Sequence, residues 1–526
     1  MRVTNMKKAI SQTQLFLAIM LAALLVAPAA FAAVPGITGP TFNLRAGTEY
    51  LTQPDGSAIY SWGYGCSVAP TGYAPSAIAN GFCSNMQVPG PTLIVTQGQN
   101  VTVNLTNNLP TAAGNTSILF PGFNVTSSGG QRGVLTQEAI PGSTVTYSFT
   151  ATTPGTRAYY SGTQGDLQVE MGLYGAIIVL PSSVPSDCTS GIHASNASAQ
   201  SSSSLAHPGV AEHDFRLAAA AYNHPGACYD REYIFQFSEM DPRIHQEALQ
   251  QSTRNCTACM TVATEPYVPA YFMINGRSMP DDMDPNYAPQ YPHQPYNGNP
   301  HMHPGELVLL RIIGQGRWQH PFHEHGNHVR VLARDGNLIL SSTSSTELNL
   351  AGPLLFTTTT TPGQTIDGIY YWTGKGLNWD PYGHNSGSGS TLPCTPDGNG
   401  YNTGAPTASN YFEWCQDHNK PLQATPIGDV AGGGPVTLPD PNIFANGPWF
   451  GGSPYLGPEA TIRAVGSTGT TPPSGTIANS PTDEAGFAFM WHSHNEREIT
   501  TNNIFPGGML MMMLVDSREF VINESN

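Results

Sequence analysis

Alternation of apolar and polar residues dominates the chain between about residues 41 and 180. Pro91-Thr92-Leu93-Ile94-Val95 leads through Gly98 into Val101-Thr102-Val103-Asn104-Leu105, where every second side chain is apolar. Successive side chains of a strand point to opposite faces, so this spacing predicts a half-buried strand. Thr144-Val145-Thr146-Tyr147-Ser148-Phe149 repeats it after Pro141-Gly142, and Tyr174-Gly175-Ala176-Ile177-Ile178-Val179 closes the segment. One β-sandwich is expected over residues 33–182.

A second strand set starts near Tyr233-Ile234-Phe235-Gln236-Phe237 and continues through Tyr271-Phe272-Met273-Ile274 and Leu307-Val308-Leu309-Leu310-Arg311-Ile312-Ile313. It closes with Phe487-Ala488-Phe489-Met490-Trp491 and Met509 to Val515, which predicts a second sandwich over residues 229–517. On the last strand Met509, Met511 and Met513 share one face, as core packing requires; thioethers that favour Cu(I) are the rival reading. Residues 183–228, rich in Ser, Ala and Pro, are expected to form a linker in which His193, His207, His213 and His224 are solvated. Residues 373–484 form a Gly/Pro/Ser/Asn-rich insertion, too long for a structureless loop and so expected to be partly ordered. A three-domain arrangement with strands hidden in the insertion stays open.

At 526 residues the chain has room for two or three domains. Only 11% of residues are charged, while 56 Gly and 45 Pro favour short strands and turns over helices, so the fold class is all-β. A formal net charge of -16 disfavours nucleic acid as a partner and suits cationic metal ions. Arg2, Lys7 and Lys8, an apolar run from Leu15 to Val26 and Ala30-Phe31-Ala32 predict a signal peptide over residues 1–32, cleaved before Ala33. The expected location is secreted or periplasmic, with no membrane span after cleavage; an uncleaved anchor is the alternative, for which the run is short. Export permits disulfides, and the eight cysteines suggest the local pairs Cys66 with Cys83, Cys188 with Cys228, Cys394 with Cys415 and Cys256 with Cys259.

The candidate chemistry lies in two stretches, His320-Pro321-Phe322-His323-Glu324-His325-Gly326 and His492-Ser493-His494. Both read as strand ends, so His323 with His325 and His492 with His494 can each present two imidazoles on one face. Together they could form a four-nitrogen site suited to copper, zinc, nickel or iron. Glu324, Glu496 and Glu498 are candidate oxygen donors. His328 is displaced from this pattern, and His301 and His303 form another strand-spaced pair, read as exposed loop histidines with a second metal site as the alternative.

These motifs resemble those of the multicopper oxidases, whose last copper domain carries His-Pro-x-His-x-His-Gly and later His-Cys-His before Gly-Met. The first is intact from His320 to Gly326, and the second stands as His492-Ser493-His494, with Gly507-Gly508-Met509 following. The resemblance implies tandem Greek-key cupredoxin-like β-sandwich domains, copper as cofactor and oxidoreductase chemistry. It implies His320, His323, His325, His492 and His494 as metal residues.

Three departures qualify it. Ser493 occupies the position of the thiolate that a blue copper needs, and Glu498 stands where the next imidazole would fall. In the first domain, Leu119 with Pro121 and Tyr160 with Gly162 replace four cluster histidines. The expectation is one or two copper ions in the second domain, not four, and noncanonical oxidoreductase activity on metal ions or small organic reductants. The alternative is a metal-free extracellular binding or structural protein on the same scaffold; the sequence leaves oligomeric state open.

Overall fold

The computed structural model describes residues 33–526 except 79, 201–211, 343–348, 377–392, 409, 417–451, 457–476, 479–485, 517, 519–520 and 525–526. The expected signal peptide, His207 and most of the insertion lie outside the described residues.

Alternation in the first segment produces two five-stranded sheets facing each other. Strand Asn100–Asn107 pairs with Thr144–Thr150 on one side and Thr41–Thr52 on the other. Its inward Val101, Val103 and Leu105 meet Leu93, Val95, Ile177 and Val179 of the facing sheet in one core. Consecutive strands switch sheets, as from Leu93–Thr96 to Asn100–Asn107 and from Thr144–Thr150 to Gly155–Tyr160, a crossing pattern rather than an up-and-down meander.

The second segment repeats this architecture with two seven-stranded sheets. One carries Arg231–Met240, Leu307–Gly314 and Thr365–Tyr371; the other carries His320–Glu324, Gly486–Ser493 and Leu510–Asp516. Phe235, Phe237, Leu310, Ile312, Phe322, Phe489, Trp491, Met511 and Met513 are completely or almost completely buried between them, so the methionine run is core. Within the insertion, strand Gly452–Leu456 pairs with Gly486–Ser493. The protein is all-β, and all four expected disulfides are formed.

The sandwiches share a buried seam. Val34, Ala158, Ala176 and Ile178 pack on Ile234 and Ile313, and Thr156 N donates to Asp367 Oδ2 at 3.1 Å. Helix Pro242–Ser252, capped by the Asp241 carboxylate, leaves the second sandwich and buries Ile244 and Ala248 in the core of the first.

Two expectations are corrected. The segment 183–228 holds helix Gly191–Gln200, closed over by Cys188–Cys228. Asn196 Nδ2 and His193 Nδ1 bond Asp230 at 2.8 and 3.0 Å, and His224 is buried, whereas His213 is exposed as expected. Composition registers serine and alanine but not the crosslink that orders them. His301 and His303 are also buried rather than exposed, bonded to Asp516 and Glu212 at 2.6 Å each.

Candidate metal centre

Strand His320–Glu324 lies antiparallel to Gly486–Ser493, with His323 opposite His492 and Phe322 opposite Ser493. Opposed residues share a face, so strand alternation sorts the two motifs. His323 and His492 fall on the outer face, while Phe322, Ser493, Trp491 and Glu324 fall on the core face.

On the outer face four imidazoles converge. Ring centroids of His323 lie 4.7 Å from His325, 5.6 Å from His492 and 4.9 Å from His494; His325 and His492 are 5.1 Å apart. Their Nε2 atoms approach to 3.2 Å. His492 Nδ1 lies 2.7 Å from the Ser493 carbonyl, which can only accept, so Nδ1 carries the hydrogen and the neutral ring keeps its Nε2 lone pair for the cluster. Trp491 Nε1 and the Tyr370 hydroxyl both donate to the His325 carbonyl, fixing that backbone. His323 Nδ1 lies 2.9 Å from Thr357 Oγ1. His494 is largely exposed and opens the cluster to solvent, with half-exposed Phe356 beside His323.

Burial, then the neighbouring imidazoles, depress His323 to about 4, and burial also lowers His492. Both rings are therefore neutral near pH 7, as ligation requires. Among the described residues, no three His, Cys, Asp or Glu already form a group able to hold an ion.

His320 is not part of this cluster. Completely buried on the core face, it donates from Nδ1 to Glu498 and from Nε2 to Glu239, each at 2.9 Å. Burial alone would depress its pKa, but the two carboxylates raise it to about 9, so both nitrogens carry hydrogens at neutral pH. Ser493 Oγ donates to the same Glu498 oxygen at 2.5 Å. Glu239 also accepts from the Arg317 and Trp318 amides and from Tyr267, which bonds Glu170 in turn.

The candidate oxygen donors separate as well. Glu324 points into the core, where burial raises it to about 8 and Thr358 donates to it. Glu498 belongs to the His320 network, and only Glu496 approaches the cluster, 3.9 Å from His494. Among the other histidines, His328 lies against Phe356. No local spacing pointed to Glu239, which precedes His320 by 81 positions.

In the first sandwich Leu119 and Tyr160 are bridged backbone to backbone, and a side chain at Gly162 would meet Leu119. These positions meet as His323 and His492 do, but Leu119, Pro121 and Gly162 offer no side-chain donor and Tyr160 only a phenol. The residues therefore fit neither a blue copper, with Ser493 for thiolate and His320 saturated, nor a three-copper cluster. The cluster offers imidazole nitrogens, a donor type that copper, zinc, nickel and iron accept.

Two family models described as multicopper oxidase match residues 69–184 and 263–368. Laccase-2 of Botryotinia fuckeliana is 36% identical over 116 residues, covering 22% of this chain and 19% of that protein. An L-ascorbate oxidase of Brassica rapa subsp. pekinensis is 39% identical over 98 residues, 18% of this chain and 16% of its own. These matches thus span less than a fifth of either relative. The multicopper oxidase mgLAC and a blue copper oxidase from Nitrosomonas europaea each align over 90% of this chain, and over 86% and 85% of their own, at 15% identity and TM-score 0.43. Both matched segments, taken in order, fold within β-sandwiches, so the chain carries two domains of the multicopper oxidase type.

Proposed function

We propose that this protein is an exported, secreted or periplasmic copper-binding member of the multicopper oxidase superfamily that holds one ion, or two at most, in its second sandwich. The observation that carries the reading is the 3.2 Å approach of His325 Nε2 to His492 Nε2. Two nitrogens each about 2.0–2.1 Å from one ion stand about 3.2 Å apart when the angle between the bonds is about 100°. His323 and His494 are the residues that would complete the set. A bound copper ion would supply one-electron exchange with metal ions or small organic reductants.

The chain's own residues hold the donors ready. Ser493 fixes the His492 tautomer, Trp491 and Tyr370 hold the His325 backbone, and Thr357 orients His323. Exposed His494 leaves the site open to a small reductant.

Elemental analysis after copper loading and desalting tests the reading. About one retained ion per chain is expected, lost in the His325→Ala, His492→Ala double variant and weakened below about pH 6, where imidazoles take up protons. A metal-free extracellular binding protein is the second reading, favoured by the lack of a ready three-donor group among the described residues. A wild-type protein that retains no metal would establish it.

A further inference from the structure

Away from the histidine cluster, a group of buried ionisable side chains surrounds Arg231. This guanidinium serves three carboxylates: Glu212, Glu306 at 2.5 Å and Glu524 at 3.5 Å. Glu524 comes from the C-terminal segment and is 2% exposed. Its Oε1 accepts from the Tyr233 hydroxyl at 2.5 Å, while its Oε2 is buried without a hydrogen-bond partner. A buried carboxylate oxygen with no donor requires an explanation. Burial raises the Glu524 pKa well above the usual range, and Glu212 and Glu306, which share Arg231, add to the effect.

The same carboxylate lines a pocket with Ala33, Phe215, Asp230, Arg231 and Glu232; His213 and Arg216 also face it. Ala33 is 5% exposed and packs with Phe215 and Tyr296, and Val34 is fully buried in the seam between the sandwiches. Ala33 is also the residue that follows Ala30-Phe31-Ala32 in the sequence. Asp230 already serves His193 and Asn196, and Glu232 serves Arg311 at 2.8 Å, so Glu524 is the carboxylate with an open oxygen.

We propose that leader removal creates a structural amino terminus, the Ala33 α-ammonium, which binds in this pocket and supplies Glu524 Oε2 with its missing donor. A leader protease hydrolyses the Ala32–Ala33 bond. Water gives its oxygen to the Ala32 carboxyl group and a hydrogen to the Ala33 nitrogen, which takes a further proton to become the ammonium. With three donors and one charge, the ammonium ties the processed end of the first sandwich to the last segment of the second. Before cleavage the same nitrogen is a neutral amide with a single donor.

The test uses the full chain, expressed with its leader in a secreting host. Intact mass and N-terminal sequencing are expected to place the first residue at Ala33. Reductive methylation with 13C-formaldehyde then reports the α-amine by NMR. Its pKa is expected at least one unit above that of an unstructured peptide methylated the same way, returning toward that value in Glu524→Gln. A protein made without the leader but keeping one Met before Ala33 is expected to melt at lower temperature, and Glu524→Gln to cost it less than the processed form. A first residue other than Ala33, or a wild-type α-amine that titrates like the peptide, overturns the proposal; in the latter case the pocket holds only water.

Discussion

His320 carries a proton where the family resemblance implied a copper ligand, and that proton ties stability to pH. Its pKa of about 9 exceeds the ordinary histidine value of about 6.5. The stabilisation is therefore complete below about pH 6.5 and lost as pH rises through about 9. His320→Gln leaves Glu239 and Glu498 buried without their cation and is expected to cost about 3–5 kcal/mol at pH 7, with the penalty shrinking toward pH 10; denaturant titrations at both values check it. His323 has the opposite sign. Its pKa of about 4 lies below the unfolded value, so its contribution is present above about pH 6.5 and disappears as pH falls through about 4. The same residues predict the copper spectrum. Copper-loaded protein is expected to lack the intense blue thiolate band, and Ser493→Cys alone to leave it absent, because Glu498 still occupies His320 Nδ1. A strong blue band in either protein would show that these positions are misread.

At the scale of elements, a strand period of two divides one motif between two chemistries. His323 and His325 emerge on the face of His492 and His494, whereas His320 turns inward with Phe322. The face shared by His323 and His325 was legible because period-two spacing is a local property; the separate role of His320, expected among the metal residues, was not, because Glu239 arrives from another strand. The helix Pro242–Ser252 shows how an element of one sandwich stabilises the other. Asp241 caps it by accepting from the Arg243 amide and also accepts from the Val268 amide, so Asp241→Ala is expected to cost about 0.5–2 kcal/mol, read from the denaturation midpoint. Cys188–Cys228 closes a separation of 40 residues around helix Gly191–Gln200. Replacing both cysteines by serine is expected to cost roughly 2–5 kcal/mol and to expose this segment to proteolysis first.

For the whole molecule, the two sandwiches repeat one plan with unequal chemistry. Strand ends meet at Leu119 and Tyr160 in the first and at His323 and His492 in the second, but only the second pair offers imidazoles. A three-copper cluster drawing on both sandwiches would lack half its donors. Oxidation of phenolic laccase substrates with four-electron reduction of dioxygen is therefore expected to be undetectable or very slow. Copper-dependent turnover on the ordinary enzyme scale, roughly 1–10³ per second, would mean that ligands reach the cluster from elsewhere.

The sequence by itself determined the strand alternation and the all-β class, suggested the four local cysteine pairs, and put His323 with His325 and His492 with His494 on shared faces, because each follows from short-range spacing. Tertiary structure alone decided the role of His320, the burial of His301 and His303, and the helix Gly191–Gln200 behind the Cys188–Cys228 crosslink. It also left Glu524 with an open oxygen beside Ala33. In the first three of these a charge, hydrogen bond or crosslink finds its partner across a long stretch of chain. Such partners become neighbours only when the sandwiches close and water is excluded, and burial then decides which groups keep a proton.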